Sequence, residues 1–267
     1  GRVTPEQKRG LVHALQHAGH TVAMTGDGVN DALALKDADL GIAMGNAAPA
    51  TKAVSRLVLV NGKFSDLPGV VAEGRRIIAN MERVSALFLS KTTYAMLLAD
   101  VVAIFGWSYP FLPRQLTYIG TFTIGTPAFF LALGPNGRRY RPGFLKRTLL
   151  VAVPTGAILA VAALTSYVIL GQGSELGQTA ATISLMIGAM ALLVILARPW
   201  NWRRITLVVL MMSGAIVGML VPVVRDFFAL APPTGHGWRT ILLAGGVAGF
   251  LFVSSYLITS RWRDTEK

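Results

Sequence analysis

Apolar positions follow two patterns along this chain. Up to about residue 83 they come in short runs broken by polar and glycine-rich stretches, and beyond it they form six blocks of roughly twenty residues. In the first region, Pro5–Ala18 reads as a helix, with Thr4 as N-cap, Pro5 in the first turn and Gly19 at its end. A short buried strand is expected at His20–Met24, then a loop, then a helix from about Asn30 to Asp37. Two further strands are expected at Leu40–Met44 and Arg56–Val60. Strands alternating with helices predict a parallel α/β sheet.

The six later blocks are Val84–Gly106, Gln115–Gly134, Leu149–Leu170, Gly177–Ala197, Ile205–Val224 and Thr240–Ser260. Each is long enough to cross roughly 30 Å of hydrocarbon as a helix. The predicted fold is therefore an α/β domain over residues 1–83, followed by an all-α bundle of six transmembrane helices over 84–267. Gly214/Gly218 and Gly245/Gly249 have the small-xxx-small spacing that lets helices approach closely. Trp107, Tyr109, Trp200, Trp202, Trp238 and Trp262 lie at span ends, where amphipathic rings suit the interface.

Charge sharpens this picture. Residues 1–83 carry 10 basic and 8 acidic side chains; residues 84–267 carry 15 and 5. The later basic residues cluster in "GPNGRRYRPGFLKR", "RPWNWRR" and the tail "SRWRDTEK", eleven in all, against Arg114, Arg225 and Arg239 in the opposite loops. That asymmetry predicts a multi-pass plasma-membrane protein with residues 1–83 and the C-terminus cytoplasmic. The lipid bilayer is the expected partner. A nucleic-acid partner is not expected, although the net charge is +12. The absence of cysteine excludes disulfides, thiolate metal sites and a cysteine nucleophile within the chain.

Candidate chemistry sits in two places. The first is Thr25-Gly26-Asp27-Gly28-Val29-Asn30-Asp31, at the carboxyl end of the first expected strand, where open α/β sheets place their sites. Gly26 and Gly28 allow sharp turning, and the following helix N-terminus offers N–H groups to a phosphate. Asp27 and Asp31, four apart across the turn, can face one hard divalent ion, since Mg²⁺ beside a phosphate needs one or two carboxylates. Lys8 can add a point charge to the same phosphate. Asp27 or Asn30 would equally serve as a helix cap. Asp37 and Asp39 are expected to be solvated or capping.

The second place is the membrane. Lys91 and Asp100 each cost about 2.5–3.5 kcal/mol on insertion scales, and such residues mark ion pathways. Lys91 has the alternative of snorkelling to the edge. Nine residues apart, the two lie on opposite faces of one helix. The next span has Thr117, Thr121, Thr123 and Thr126 with Gly120, Gly125 and Pro127. Its proline is expected to break the helix and free carbonyls, which with the hydroxyls would suit a hard cation; a simple kink is the plainer reading.

Together "TPEQK", "MTGDGVNDALALKDADLGIAMG" and "EGRRIIANM" resemble the end of the phosphorylation domain and the hinge of cation-transporting P-type ATPases, of the haloacid dehalogenase-like superfamily. The likeness continues into the six spans and is strongest to actinobacterial members associated with calcium. It implies that Asp27 is a Mg²⁺ ligand, that Lys8 contacts the phosphoryl group, and that Asn30 and Asp31 order the loop. It also implies that Thr25, Gly26 and Asp27 form the cofactor-binding edge, with ATP as substrate of the whole protein. The expected ion path comprises Lys91, Asp100, Thr123 and Thr126; Asp100 and Thr126 enter it from the charge and threonine pattern of the spans, Thr123 and Lys91 also from the resemblance.

Two departures qualify the resemblance. The phosphorylated-aspartate and actuator motifs, DKTGT and TGE, and the nucleotide-binding domain do not occur in this chain. It is therefore expected to be about the C-terminal third of a pump, inactive alone, whose partner is the remaining N-terminal part with its first four helices. The membrane acids of calcium pumps are also unmatched: their positions fall on Ala95, Gly120, Thr123 and Ile124, of which only Thr123 keeps the family's residue. Lys91 stands one turn before Ala95, where some proton- and potassium-pumping relatives have a lysine acting as a built-in cation. A lipid flippase of the same superfamily and a non-catalytic membrane or regulatory subunit are the alternatives.

Overall fold

The computed structural model describes residues 3–138 and 141–265, with the backbone alone at 252–253 and 255–265. It divides into two compact units, residues 1–74 and 75–267.

The first unit opens with α1 (Pro5–His17). Thr4 caps it through a reciprocal pair: the Gln7 N–H donates to Thr4 Oγ1, and the Thr4 N–H donates to Gln7 Oε1. Three strands follow, β1 (Ala23–Gly26), β2 (Leu40–Met44) and β3 (Leu57–Leu59), in the order β1-β2-β3 and all parallel. Parallel pairing needs long crossovers, and these carry α2 (Ala32–Asp37) and α3 (Pro49–Val54). The apolar filling includes Val12, Val22, Leu35, Ile42, Ala43 and Leu59. α1 and the second and third strands match expectation, but β1 lies three residues later than expected and takes in Thr25 and Gly26 of the expected loop, and α3 was not anticipated. The helix expected from Asn30 begins instead as a 3₁₀ turn at Val29–Asp31, and α2 proper starts at Ala32.

Helix α4 runs unbroken from Leu67 to Phe105, so the first expected span is the later part of a 39-residue helix. It stops at Gly106, whose φ of +63° ends a helix at little steric cost. The second span is α5 (Pro113–Gly120), a π turn (Thr121–Gly125) and α6 (Thr126–Leu133). After it come α7 (Phe144–Ile169), α8 (Glu175–Leu196), α9 (Trp202–Leu220), the short α10 (Pro222–Phe227) and α11 (Gly235–Thr265). Among the described residues, five helical stretches are long and apolar enough to cross a membrane. The sixth expected span lies within α11, and most of its C-terminal half falls outside the described side chains.

Helix α8 is the centre of this bundle: 78% of its spanning window is buried, against 22% for the first span. Its sequence suits that place, because Ala, Gly, Ser and Thr admit close neighbours. The glycine pairs act as expected. Gly214 and Gly218 of α9 face Phe122 and Tyr118, while Gly245 and Gly249 of α11 face Ile187 and Ala191 of α8. On α7, a methyl at Gly156 would stand 2.5 Å from Thr93 Cβ of α4. Outward positions such as Val161, Leu220 and Phe250 are exposed apolar residues, the surface that hydrocarbon requires.

Candidate functional site

In the first unit, the loop after β1 is built around Asp31. This residue is only 7% exposed, and its Oδ1 accepts from Lys8 Nζ at 2.5 Å. Gly26 makes room for it: a Cβ there would lie 2.7 Å from Asp31 Cβ and 3.0 Å from Oδ2. The rest of the loop is held by its backbone. Thr51 Oγ1, fully buried at α3, donates to Gly28 O at 3.0 Å, and the Ala48 N–H donates to Asp27 O at 3.2 Å. Asp27, Asn30 and Thr25 are exposed. The Asp31 N–H is taken by Gly28 O, so the turn satisfies itself before α2 begins.

Three of the predicted residues come together, Lys8, Gly26 and Asp31, and Asp27 is exposed on the same loop. Lys8 reaches Asp31, and the pair holds opposite charges together within the loop that carries Asp27. Thr51 and the start of α3 were missed by sequence reasoning; Pro49 opening a helix was the available signal. Asp39 is exposed, as expected, and Asp37 is half-buried, but both also pair with α1 or its end. Asp37 accepts from Arg9 Nε at 2.6 Å and lies 3.2 Å from His13 Nε2, and the Arg9 hydrogen bond holds its carboxyl below the usual range. Asp39 accepts from the Val22 N–H and from Gln16 Nε2, the former chiefly lowering its pKa. Asp37 ties α1 to α2, and Asp39 ties the end of α1 to the edge of β2.

The donor set suits a hard divalent ion. Two carboxylates on one loop, one exposed, match what Mg²⁺ takes from a protein when phosphate and water complete its shell. Among the described residues no cluster of three or more His, Cys, Asp or Glu side chains forms a self-sufficient metal cage.

In the second unit, Lys91 of α4 lines an open cleft of about 560 Å³ with Phe88, Thr117, Thr121, Gly125 and Thr126. The π turn explains this lining. In an α-helix, residues five apart diverge by about 140°, whereas a wider turn brings them into line. Thr121 and Thr126 are five apart and share the cleft, as do Gly120 and Gly125. Pro127 has no N–H for the Thr123 carbonyl, so the ladder re-registers locally. The expected broken helix is thus a π turn in a continuous helix, and its backbone does not unwind. Thr121 Oγ1 donates to Thr117 O at 2.8 Å and Thr117 Oγ1 to Pro113 O, leaving hydroxyl lone pairs for a cation.

Of the predicted ion path, the structure unites Lys91 and Thr126. Thr123 is fully buried elsewhere, its hydroxyl donating to Ile119 O at 2.7 Å. Asp100 is exposed further along α4 and does not line the cleft. A buried latch sits at the other end of these helices. Asn80 Nδ2 of α4 donates to the Ala132 and Gly134 carbonyls at 2.9 and 2.7 Å, and Asn136 donates to Asn80 Oδ1. Arg204 Nη2 donates to Pro135 O beside it. These contacts clamp the end of α6, and Asn80 lies within the "EGRRIIANM" stretch.

Residues 9–65 match the family model for haloacid dehalogenase-like hydrolases. The chain is 45% identical, over 93% of its length, to a calcium-transporting ATPase (CtpE) of Mycolicibacterium smegmatis, of which it covers 34%. It is 46% identical over the same share to the CtpE of Mycobacterium tuberculosis, covering 33%. It is 34% identical, over 98% of its length, to a probable cation-transporting ATPase (exp7) of Streptococcus pneumoniae, covering 35%. The chain spans about a third of the length of these curated relatives. Across nearly all of that length it is homologous to a segment of the calcium- and cation-transporting P-type ATPases, with a haloacid dehalogenase-like part followed by membrane helices.

Proposed function

We propose that this chain is part of an ATP-driven cation pump, in which aspartyl-phosphate formation and hydrolysis are coupled to cation movement through the membrane bundle. The observation that carries the reading is that similarity to calcium-transporting ATPases extends over 93% of the chain, through both the acidic loop and the helices. The phosphorylated aspartate and the nucleotide site would lie on a part of the protein outside these 267 residues.

In this reading Asp27 and Asp31 hold Mg²⁺, which when bound supplies neutralisation of phosphoryl charge. Lys8 does two things. It orients Asp31 through their 2.5 Å contact, and its ammonium places positive charge beside the loop. Gly26 and the Thr51–Gly28 bond fix the loop so that Asp27 projects outward without rearrangement. Asn30 and Thr25 flank the phosphoryl position.

The cleft of Lys91, Thr117, Thr121 and Thr126 is the proposed ion passage, with hydroxyl oxygens as ligands and Lys91 as a resident positive charge. Calcium is the proposed cation, from the names of the relatives. Among the residues lining the cleft there is no carboxylate, so Asp100 is proposed as a separate charged station along α4. Residues 1–83 and the C-terminus are assigned to the cytoplasm and the bundle to the plasma membrane, on the distribution of basic loops.

The test is ATP-driven ⁴⁵Ca²⁺ uptake by vesicles holding the whole protein. Uptake in the parent and none with Asp27→Asn supports the reading. Stimulation of ATP hydrolysis by phospholipid with no response to any cation would turn it toward lipid transport.

A further inference from the structure

A second polar pocket lies at the end of the bundle that bears the basic loops. It is small, about 50 Å³, and four of its lining residues are arginines, Arg83, Arg138, Arg147 and Arg198, with Glu82 the single carboxylate. Four guanidinium groups against one carboxylate give the lining a formal charge of +3. Glu82 is already engaged, accepting from Arg147 Nε and Nη2 at 3.1 and 3.2 Å. Arg83 is only 5% exposed and donates through Nη2 to the Arg198 carbonyl at 2.8 Å, while Arg138 and Arg198 are exposed. Guanidinium groups lining a volume of this size suit a phosphate group, which they can meet with paired hydrogen bonds.

The surroundings decide what carries the phosphate. Ile195 and Arg198 also line a large apolar groove of about 780 Å³ on α8, α9 and α11. From Arg198, this groove follows Val194, Met190 and Met186 down α8. Twelve residues of helix are roughly 18 Å, close to the depth of one leaflet's hydrocarbon. A free anion has no use for such a groove, whereas an acyl chain does. We infer that the arginine pocket binds the phosphate of an anionic phospholipid whose acyl chain lies in the α8–α9 groove. Basic pockets between membrane helices take acidic headgroups in this way.

The test is native mass spectrometry of the whole protein, purified in neutral detergent. Phosphatidylglycerol, phosphatidylcholine with the same chains, and inorganic phosphate are added separately. Phosphatidylglycerol is expected to be retained about tenfold or more over phosphatidylcholine, from three net charges at roughly a few-fold each. Arg138→Gln/Arg198→Gln should erase that preference, and Arg203→Gln, exposed and outside the pocket, should keep it. Val194→Trp, which fills the groove without changing charge, should lower retention of both lipids. Equal retention of the two lipids by the parent overturns the inference. So does an undiminished preference in the double variant, or a Val194→Trp protein that binds as the parent does. Saturation by millimolar inorganic phosphate without phosphatidylglycerol preference would make this a free-anion site and would equally overturn it.

Discussion

The acidic loop and the membrane cleft handle charge in opposite ways. In the loop, a carboxylate is buried and neutralised in place: Asp31 is paired with Lys8, seated against Gly26 and backed by a backbone that Thr51 holds. In the cleft the charge is a lone ammonium, Lys91, among hydroxyls that already donate to their own helix. On the proposed function the loop is pre-organised for a fixed reaction, because Gly26 and the Thr51 bond hold its groups in place. On the same proposal the cleft is arranged for passage: its oxygens are acceptors of modest strength on a helix whose π turn is a local re-registration. A pump needs both behaviours, tight geometry where phosphate reacts and weak, exchangeable ligation where an ion must leave.

The largest effect should come from the loop's exposed carboxylate. Asp27→Asn in the whole protein should lower phosphoenzyme turnover by about a hundredfold or more, while leaving the melting temperature unchanged because that side chain is exposed. A fall in both would move Asp27 into the structural class and blur the contrast. Next is Gly26→Ala, whose Cβ would lie 2.7 Å from Asp31 Cβ. It should destabilise the first unit by about 1–3 kcal/mol and loosen the Lys8–Asp31 pair, as seen in denaturant unfolding followed by hydrogen exchange of the loop. In the cleft, Thr126→Val keeps shape and removes an oxygen. It should raise the half-saturating cation concentration several-fold with little change in stability, measured by cation-dependent ATP hydrolysis.

The smallest effect concerns pH. The folded pKa of Asp37 is depressed by Arg9, so its contribution to stability is present above the ordinary carboxylate range and fades as pH falls through the lowered value. Melting temperature should therefore decline below about pH 4, and Asp37→Asn should make that decline shallower. An unchanged acid profile in the variant would show that Arg9 and Asp37 do not communicate.

Legibility in the sequence divided along the same line. What depends on near neighbours was readable. Thr4, Pro5 and Gln7 announce the start of α1, and Asp27 and Asp31 share a turn. The spans and the close-approach glycines were evident because hydrocarbon imposes a simple length and pattern. What depends on distant partners was hidden. Asp37 and Asp39 lie beyond a strand from the α1 residues that hold them, and Thr51 is 23 residues from the carbonyl it serves. The six-residue α3 is too short for periodicity to register. Thr123 and Thr126 were grouped by composition, but the π turn carries Thr126 to the cleft beside Thr121 and leaves Thr123 inside. No α-helical wheel contains that shift.

On the proposed function, the loop does the chemistry and the cleft sets the ion. The most direct test is phosphoenzyme level against free calcium in the whole protein, comparing the parent with Lys91→Ala. The account predicts that the Lys91→Ala curve moves along the calcium axis by several-fold while calcium still governs phosphorylation. Superimposable curves would contradict it, because the ammonium in the cleft would then play no part in sensing the ion.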